Sequence, residues 1–272
     1  MQPRTWEMPM RIALCQVVSG PDPRANLELV ADGIRRAAEA GAQLAVFPEA
    51  TMACFGVKLA PLAEPLDGPW AQQVRELAAE AGIAVVAGMF TPAPDGRVTN
   101  TLLITGRGLD TSYDKIHLFD AFGFAESRTV APGDTPVAVD LEGVRIGVTT
   151  CYDIRFPGLY TALADKGAKI IVTAASWGAG PGKREQWELL VRARALDSTS
   201  WVVACGQADP RSIGRTPETK APTGIGHSMV ATPLGAVHAQ LADAPDVLIT
   251  DLDESAVDEA RQAVPVLANR RF

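Results

Sequence analysis

The chain has 272 residues, is 47% hydrophobic and 21% charged, and carries a formal net charge of −7 with only three histidines. A chain of this length buries roughly three quarters of its unfolded surface, while its acidic balance removes the bulk attraction that a polyanion exerts on a basic protein. Neither nucleic acid nor a membrane is an expected partner, since no segment approaches the roughly 18 apolar residues of a span.

Met1 to Met10 carries Arg4 and Glu7 with no apolar run behind it, so no signal peptide is expected and the location reads as cytoplasmic. Residues 1–9 read as a flexible tail. No Ser-, Gly- or charge-rich linker divides the apolar segments, and one domain over 1–272 is expected.

Arg11 to Val18 reads as a strand, Asn26 to Ala40 as an amphipathic helix and Leu44 to Phe47 as a strand; Pro69 to Ala81 is a helix leading to the strand Ile83 to Ala87. Strands are expected at Asn100 to Thr105, Val137 to Asp140 and Val144 to Thr149. A helix around Pro157 to Ala164, a strand Lys169 to Ala174, a long helix Lys183 to Asp197 and a strand Trp201 to Cys205 complete the alternation. Ser228 to Ala231, Val237 to Ala239 and Val247 to Asp251 have hairpin spacing, with Pro233-Leu234-Gly235 as a turn. The pattern is α/β layers.

Cys15, Cys54, Cys151 and Cys205 form no Cys-x-x-Cys pair, and His117, His227 and His238 have no metal-ligand spacing, so neither a disulfide framework nor a metal site is expected. Cys15 and Cys205 lie inside apolar strands and read as inert core thiols. Cys151 instead follows the strand Val144 to Thr149, at an elbow before the Pro157 helix, where a thiol can meet backbone N–H groups. Glu49 is the first charged side chain after Leu44 to Phe47 and belongs at the carboxyl edge of a sheet, where open α/β sheets bind ligands. Lys115 precedes a segment rich in Phe and Gly. Singly, each reads as readily as a solvated carboxylate, a surface charge or a core thiol. Together they match what amide hydrolysis by a thiol requires: a base for the S–H proton, a positive group for the oxyanion and a proton donor for the amine.

Phe47-Pro48-Glu49, Tyr113-Asp114-Lys115-Ile116-His117-Leu118 and Cys151-Tyr152-Asp153-Ile154-Arg155-Phe156-Pro157 resemble the Glu, Lys and Cys signatures of the nitrilase superfamily of carbon-nitrogen hydrolases. Order and spacing fit, and the resemblance runs from Arg11 to about Asp251. Gly226-His227-Ser228-Met229-Val230 and Ala175-Ser176-Trp177 match further segments. Lys115 to Asp120, Glu126-Ser127 followed by Ala131-Pro132-Gly133, and the stretch after Cys151 look most like the ω-amidase and deaminated glutathione amidase branch, which hydrolyses small ω-amides of keto acids. The resemblance implies a four-layer α-β-β-α sandwich, a homodimer or larger homo-oligomer, a small-molecule amide and water as reactants, and no cofactor.

It also implies a cycle in which Glu49 takes the proton of Cys151, the thiolate attacks the amide carbon, and Lys115 with the Tyr152 N–H holds the oxyanion. Ammonia leaves, and water activated by Glu49 hydrolyses the thioester. An ordinary thiol is only a few per cent ionised near neutral pH, so Lys115 and the elbow amides are expected to favour the thiolate. Glu126 matches the family's second glutamate, which orients Lys and substrate; the plain alternative is a loop carboxylate in water. Arg155 reads either as a binder of substrate carboxylate or as a brace for the elbow through a carboxylate such as Asp153. Trp177 reads as pocket wall or as packing.

A serine hydrolase would need Gly-x-Ser-x-Gly, which Gly226-His227-Ser228-Met229-Val230 lacks. A metal hydrolase would need clustered ligands, and a binding protein on the same fold would not need all three triad types. A nitrilase or a carbamoyl-amine hydrolase would share the triad, so those alternatives stay open.

Overall fold

The computed structural model describes residues 9–121 and 123–271; of the expected tail, all but Pro9 lies outside the described residues. In chain order the elements are β1 (Met10–Gln16), α1 (Pro23–Glu39), β2 (Leu44–Val46), α2 (Pro69–Ala81), β3 (Ala84–Pro92), β4 (Val98–Gly106) and β5 (Leu109–Asp114). Three two-residue strands follow, β6 (Asp120–Ala121), β7 (Phe124–Ala125) and β8 (Val130–Ala131). Next come β9 (Ala138–Leu141), β10 (Val144–Thr150), α3 (Pro157–Asp165), β11 (Ile170–Ala175), α4 (Lys183–Ser198) and β12 (Trp201–Gly206). The chain continues with β13 (Met229–Ala231), β14 (Val237–Gln240), β15 (Asp246–Leu252), α5 (Ser255–Ala263) and α6 (Val266–Asn269).

Two mixed sheets result. One has the order β15-β1-β2-β3-β4-β5, with β8 alongside β4; the other has the order β14-β13-β12-β11-β10-β9. Alternation along the strands fixes the layers. In β1, Ile12 and Leu14 join an apolar cluster with Ile146, Val148 and Val172 of the other sheet, whereas Ala13 and Cys15 face Val30 and Ile34 of α1 and Val74 of α2. In β11, Ile170 and Val172 point between the sheets, and Ile171 points to Leu163 of α3 and Val191 of α4. The molecule is therefore an α-β-β-α sandwich, with the inner strands β2, β11 and β12 buried on both faces and apolar almost throughout.

The local reasons are ordinary. Pro23 opens α1 behind Asp22, whose carboxylate accepts the N–H of Arg24 at 2.9 Å. Gly82 ends α2 with φ +65°. β13 and β14 form the expected hairpin, but β15 does not extend it. It crosses to the other sheet and pairs antiparallel with β1, Met10 opposite Leu252 and Gln16 opposite Asp246. That pairing puts Leu248 between the sheets and Val247 and Ile249 against the helix layer.

Candidate active site

Parallel β1, β2 and β3 in one sheet, and β10, β11 and β12 in the other, bring the carboxyl ends of β2, β10 and β11 to one place. Glu49 lies three residues beyond β2. The turn that carries it passes so close to β3 that a Cβ on Gly88 would stand 2.7 Å from Pro48 O and Ala50 N, so only glycine fits there. Gln207 Nε2 donates to the carbonyl of Glu49 at 3.1 Å and holds the turn from the opposite sheet.

Glu49, Lys115 and Glu126 are 0%, 2% and 4% exposed, and they form one ion cluster. Lys115 Nζ donates to Glu49 Oε1 at 2.9 Å and to Glu126 Oε2 and Oε1 at 2.9 and 3.1 Å. Burial disfavours the lysine's charge, but Glu49, Glu126 and Cys151 outweigh it and hold the ammonium well above the ordinary lysine range. Ser176, directly after β11, donates its N–H to Glu49 Oε2 at 2.8 Å. Asn100 of β4 donates to Glu49 Oε1 at 2.7 Å. Glu126 is tied into its own loop, its Oε2 accepting the Phe119 N–H at 2.7 Å. It is a buried member of the cluster, not a loop carboxylate in water.

Cys151 begins a short 3-10 helix, Cys151–Arg155, directly after β10, and has φ +46°. A non-glycine residue in the left-handed region is strained by roughly 1–2 kcal/mol, and such an elbow turns the side chain out of the strand. Its Sγ lies 3.8 Å from Ser176 O. The expected favouring of the thiolate is not what this environment gives: burial first, then the carboxylate of Glu49, push the Cys151 thiol well up, and Lys115 only partly opposes them. This environment favours the thiol over the thiolate. The Tyr152 N–H lies in the first turn of the 3-10 helix, where such groups have no partner within the helix.

The elbow is braced from the Lys115 segment. Asp153 Oδ2 accepts from Tyr113 Oη at 2.6 Å and from the Thr150 N–H at 2.8 Å, while Oδ1 accepts the His117 N–H at 3.0 Å and lies 2.7 Å from His117 Nδ1. Arg155 takes no part in this brace. Its Nη2 donates to Gln186 Oε1 at 2.8 Å, and its guanidinium carbon lies 5.2 Å from the Trp177 ring centre and 5.9 Å from that of Tyr152. Trp177 is anchored by its Nε1 to Lys183 O at 2.9 Å.

All seven residues singled out in the sequence, Glu49, Lys115, Glu126, Cys151, Tyr152, Arg155 and Trp177, line one cavity of about 520 Å³. Phe55, Phe119 and Phe124 add apolar wall, and Lys183 and Lys220 add positive charge. Burial and the neighbouring Arg155 push Lys183 down from the ordinary lysine range. Sequence reasoning missed Asn100, Ser176 as an N–H donor, and Tyr113 and His117 as the partners of Asp153; Asn100 stands between Thr99 and Thr101 in β4, where nothing local sets it apart. Among the described residues no group of His, Cys, Asp and Glu is disposed to hold a metal ion, and no helix is long and apolar enough to cross a membrane.

The carbon-nitrogen hydrolase family model matches residues 11–262, and the chain belongs to that family. It is a carbon-nitrogen hydrolase of the nitrilase superfamily. It is similar to Hydrolase Rv0480c of Mycobacterium tuberculosis, 59% identical over 96% of this chain and 95% of the relative. It is also similar to deaminated glutathione amidase of Escherichia coli O157:H7, 34% identical over 91% of this chain and 92% of the relative. Among solved structures, Saccharomyces cerevisiae Nit3, a member of branch 10 of the nitrilase superfamily, superposes with TM-score 0.84 at 29% identity, covering 98% of each chain.

Proposed function

We propose that this enzyme is an ω-amidase-like hydrolase that converts a small carboxylate-bearing amide to its acid and ammonia through a thioester on Cys151. The observation that carries the reading is the convergence, on one cavity, of the elbow thiol, the buried Glu49–Lys115–Glu126 cluster and a positive wall containing Arg155. The deaminated glutathione amidases among the relatives support an amide as substrate. Arg155, held by Gln186 and flanked by Tyr152 and Trp177, is suited to pair with a carboxylate at the far end of the substrate.

In the cycle, Glu49 removes the proton of Cys151 as sulfur attacks the amide carbon, because a buried thiol of raised pKa supplies little free thiolate. The oxyanion forms beside the Lys115 ammonium and the Tyr152 N–H. Lys115 has three N–H bonds; one serves Glu49, one is shared by the two oxygens of Glu126, and the third is left for the oxyanion. Collapse breaks the C–N bond, with the proton on Glu49 passing to the departing ammonia. Glu49 then takes a proton from water, hydroxide adds to the thioester, and the acid departs as sulfur regains the proton. Glu126 keeps Lys115 in place, and Trp177 walls the cavity. One domain, a cytoplasmic location and a homodimer or larger homo-oligomer complete the proposal.

The test is an ammonia-release screen across ω-amides of keto acids, simple nitriles and carbamoyl amines. The proposal expects kcat/KM to be highest for a carboxylate-bearing ω-amide. Preferential turnover of nitriles or carbamoyl amines would replace it with one of those activities.

A further inference from the structure

Asn100 sits at the centre of the ion cluster and has no part in the cycle above. It is fully buried in β4, and its backbone carbonyl accepts the N–H of Lys115 at 2.9 Å. Its Nδ2 donates to Glu49 Oε1 at 2.7 Å and reaches Glu126 Oε1 at 3.3 Å. The amide has one workable orientation, because turned over it would aim Oδ1 at two carboxylate oxygens. As it stands, Oδ1 has no hydrogen-bond partner among the described residues, so the Nδ2 end decides the orientation.

A carboxylate oxygen offers about two acceptor sites. Glu49 Oε1 has both occupied, by Lys115 Nζ and Asn100 Nδ2. Oε2 has one occupied, by the Ser176 N–H, which leaves one site open. We propose that Asn100 is a positioning residue that fills Glu49 Oε1, so that Oε2 alone accepts the Cys151 proton, and that spaces Glu49 and Glu126 on either side of Lys115. In that step the S–H bond breaks, an O–H bond forms on Oε2, and the sulfur electron pair makes the C–S bond. The proton on Oε2 later leaves with ammonia. The inference rests on the reading of Glu49 as proton acceptor.

The experiment compares wild type, Asn100→Ala, Asn100→Leu and Glu49→Gln. Leu matches the branched shape of Asn without its donor, so it carries the test if Asn100→Ala does not fold. The readouts are thermal unfolding, kcat and KM on the amide found by the screen, and the iodoacetamide labelling rate of the Cys151 peptide against that of half-buried Cys54. Losing a hydrogen bond to a charged group corresponds to about a 10- to 100-fold fall in kcat. KM should stay within about twofold, and labelling of Cys151, but not of Cys54, should slow about 10-fold or more. A folded variant with kcat within about twofold of wild type, or one whose loss falls on KM, overturns the role of Asn100. If Glu49→Gln is inactive while the Asn100 variants are normal, only this inference fails. If Glu49→Gln turns over normally, the underlying reading fails with it.

Discussion

Lys115 Nζ stands 2.9 Å from Glu49 Oε1, although the two residues are 66 positions apart and both are buried. A second carboxylate, Glu126, closes on the same ammonium from the 3-10 turn between β7 and β8. One cation between two buried anions makes the site sensitive to loss of the cation, since breaking a buried pair leaves charge without compensation.

Lys115→Met is therefore expected to lose stability as well as turnover, by about 3–5 kcal/mol near neutral pH. Part of that loss should be recovered as the pH falls, because the stranded carboxylates can then take up protons. In wild type the lysine acts in a higher range of pH: its raised value contributes stability that is fully present below its ordinary value and is lost only as pH rises through the folded one. Urea unfolding of both proteins at pH 7 and pH 5 checks this. A Lys115→Met deficit that does not shrink at the lower pH would contradict it.

Arg155→Ala should act on binding. Its guanidinium faces the cavity beside Trp177 and is not joined to the elbow carboxylate. KM for a carboxylate-bearing amide should rise about 10-fold or more, as expected for a charged hydrogen bond of about 1.5–3 kcal/mol. KM for a neutral primary amide of similar size should change little. Equal effects on the two substrates in steady-state assays would assign Arg155 a packing role instead.

Buried thiols set the alkaline limit. Burial raises Cys15 from 9.0 to about 12, and it raises Cys151 and Cys205 as well. A raised folded value stabilises the protein below the unfolded value, and that stability declines as pH rises from about 9 toward 12. Cys15 alone contributes about 1.4 kcal/mol per pH unit to this decline. Cys15→Ala should start lower by a core-cavity cost of roughly 1–3 kcal/mol and then lose stability less steeply. Urea midpoints at pH 8, 9.5 and 11 read the slope, and parallel slopes would refute the assignment.

Most helices and inner strands were legible because their periodicity is local: Pro69–Ala81 matches the sequence reading at both ends, and Lys183–Ser198 differs by one residue. β15 was misplaced into a hairpin because spacing reports that a strand exists, not which sheet it joins; its partner β1 lies more than two hundred residues away. β5 was missed because Leu109-Asp-Thr-Ser-Tyr-Asp lacks the apolar run that marks a buried strand. Of the candidate site, the residues named from the family signatures all line the cavity. Asn100 and Ser176 escaped because what they do depends on the convergence of β4 and β11 on the Glu49 turn, and no local pattern encodes that.

In the proposed cycle Glu49 takes the proton of Cys151 so that sulfur can expel ammonia. Quenched-flow ammonia release with enzyme in excess of a confirmed amide, combined with peptide mass measurement at Cys151, tests it most directly. Wild type should release one equivalent of ammonia and carry the acyl mass on Cys151 transiently, whereas Glu49→Gln, and Cys151→Ala as a control, should fold and do neither. A normal burst of ammonia with acylated Cys151 in Glu49→Gln would contradict the account.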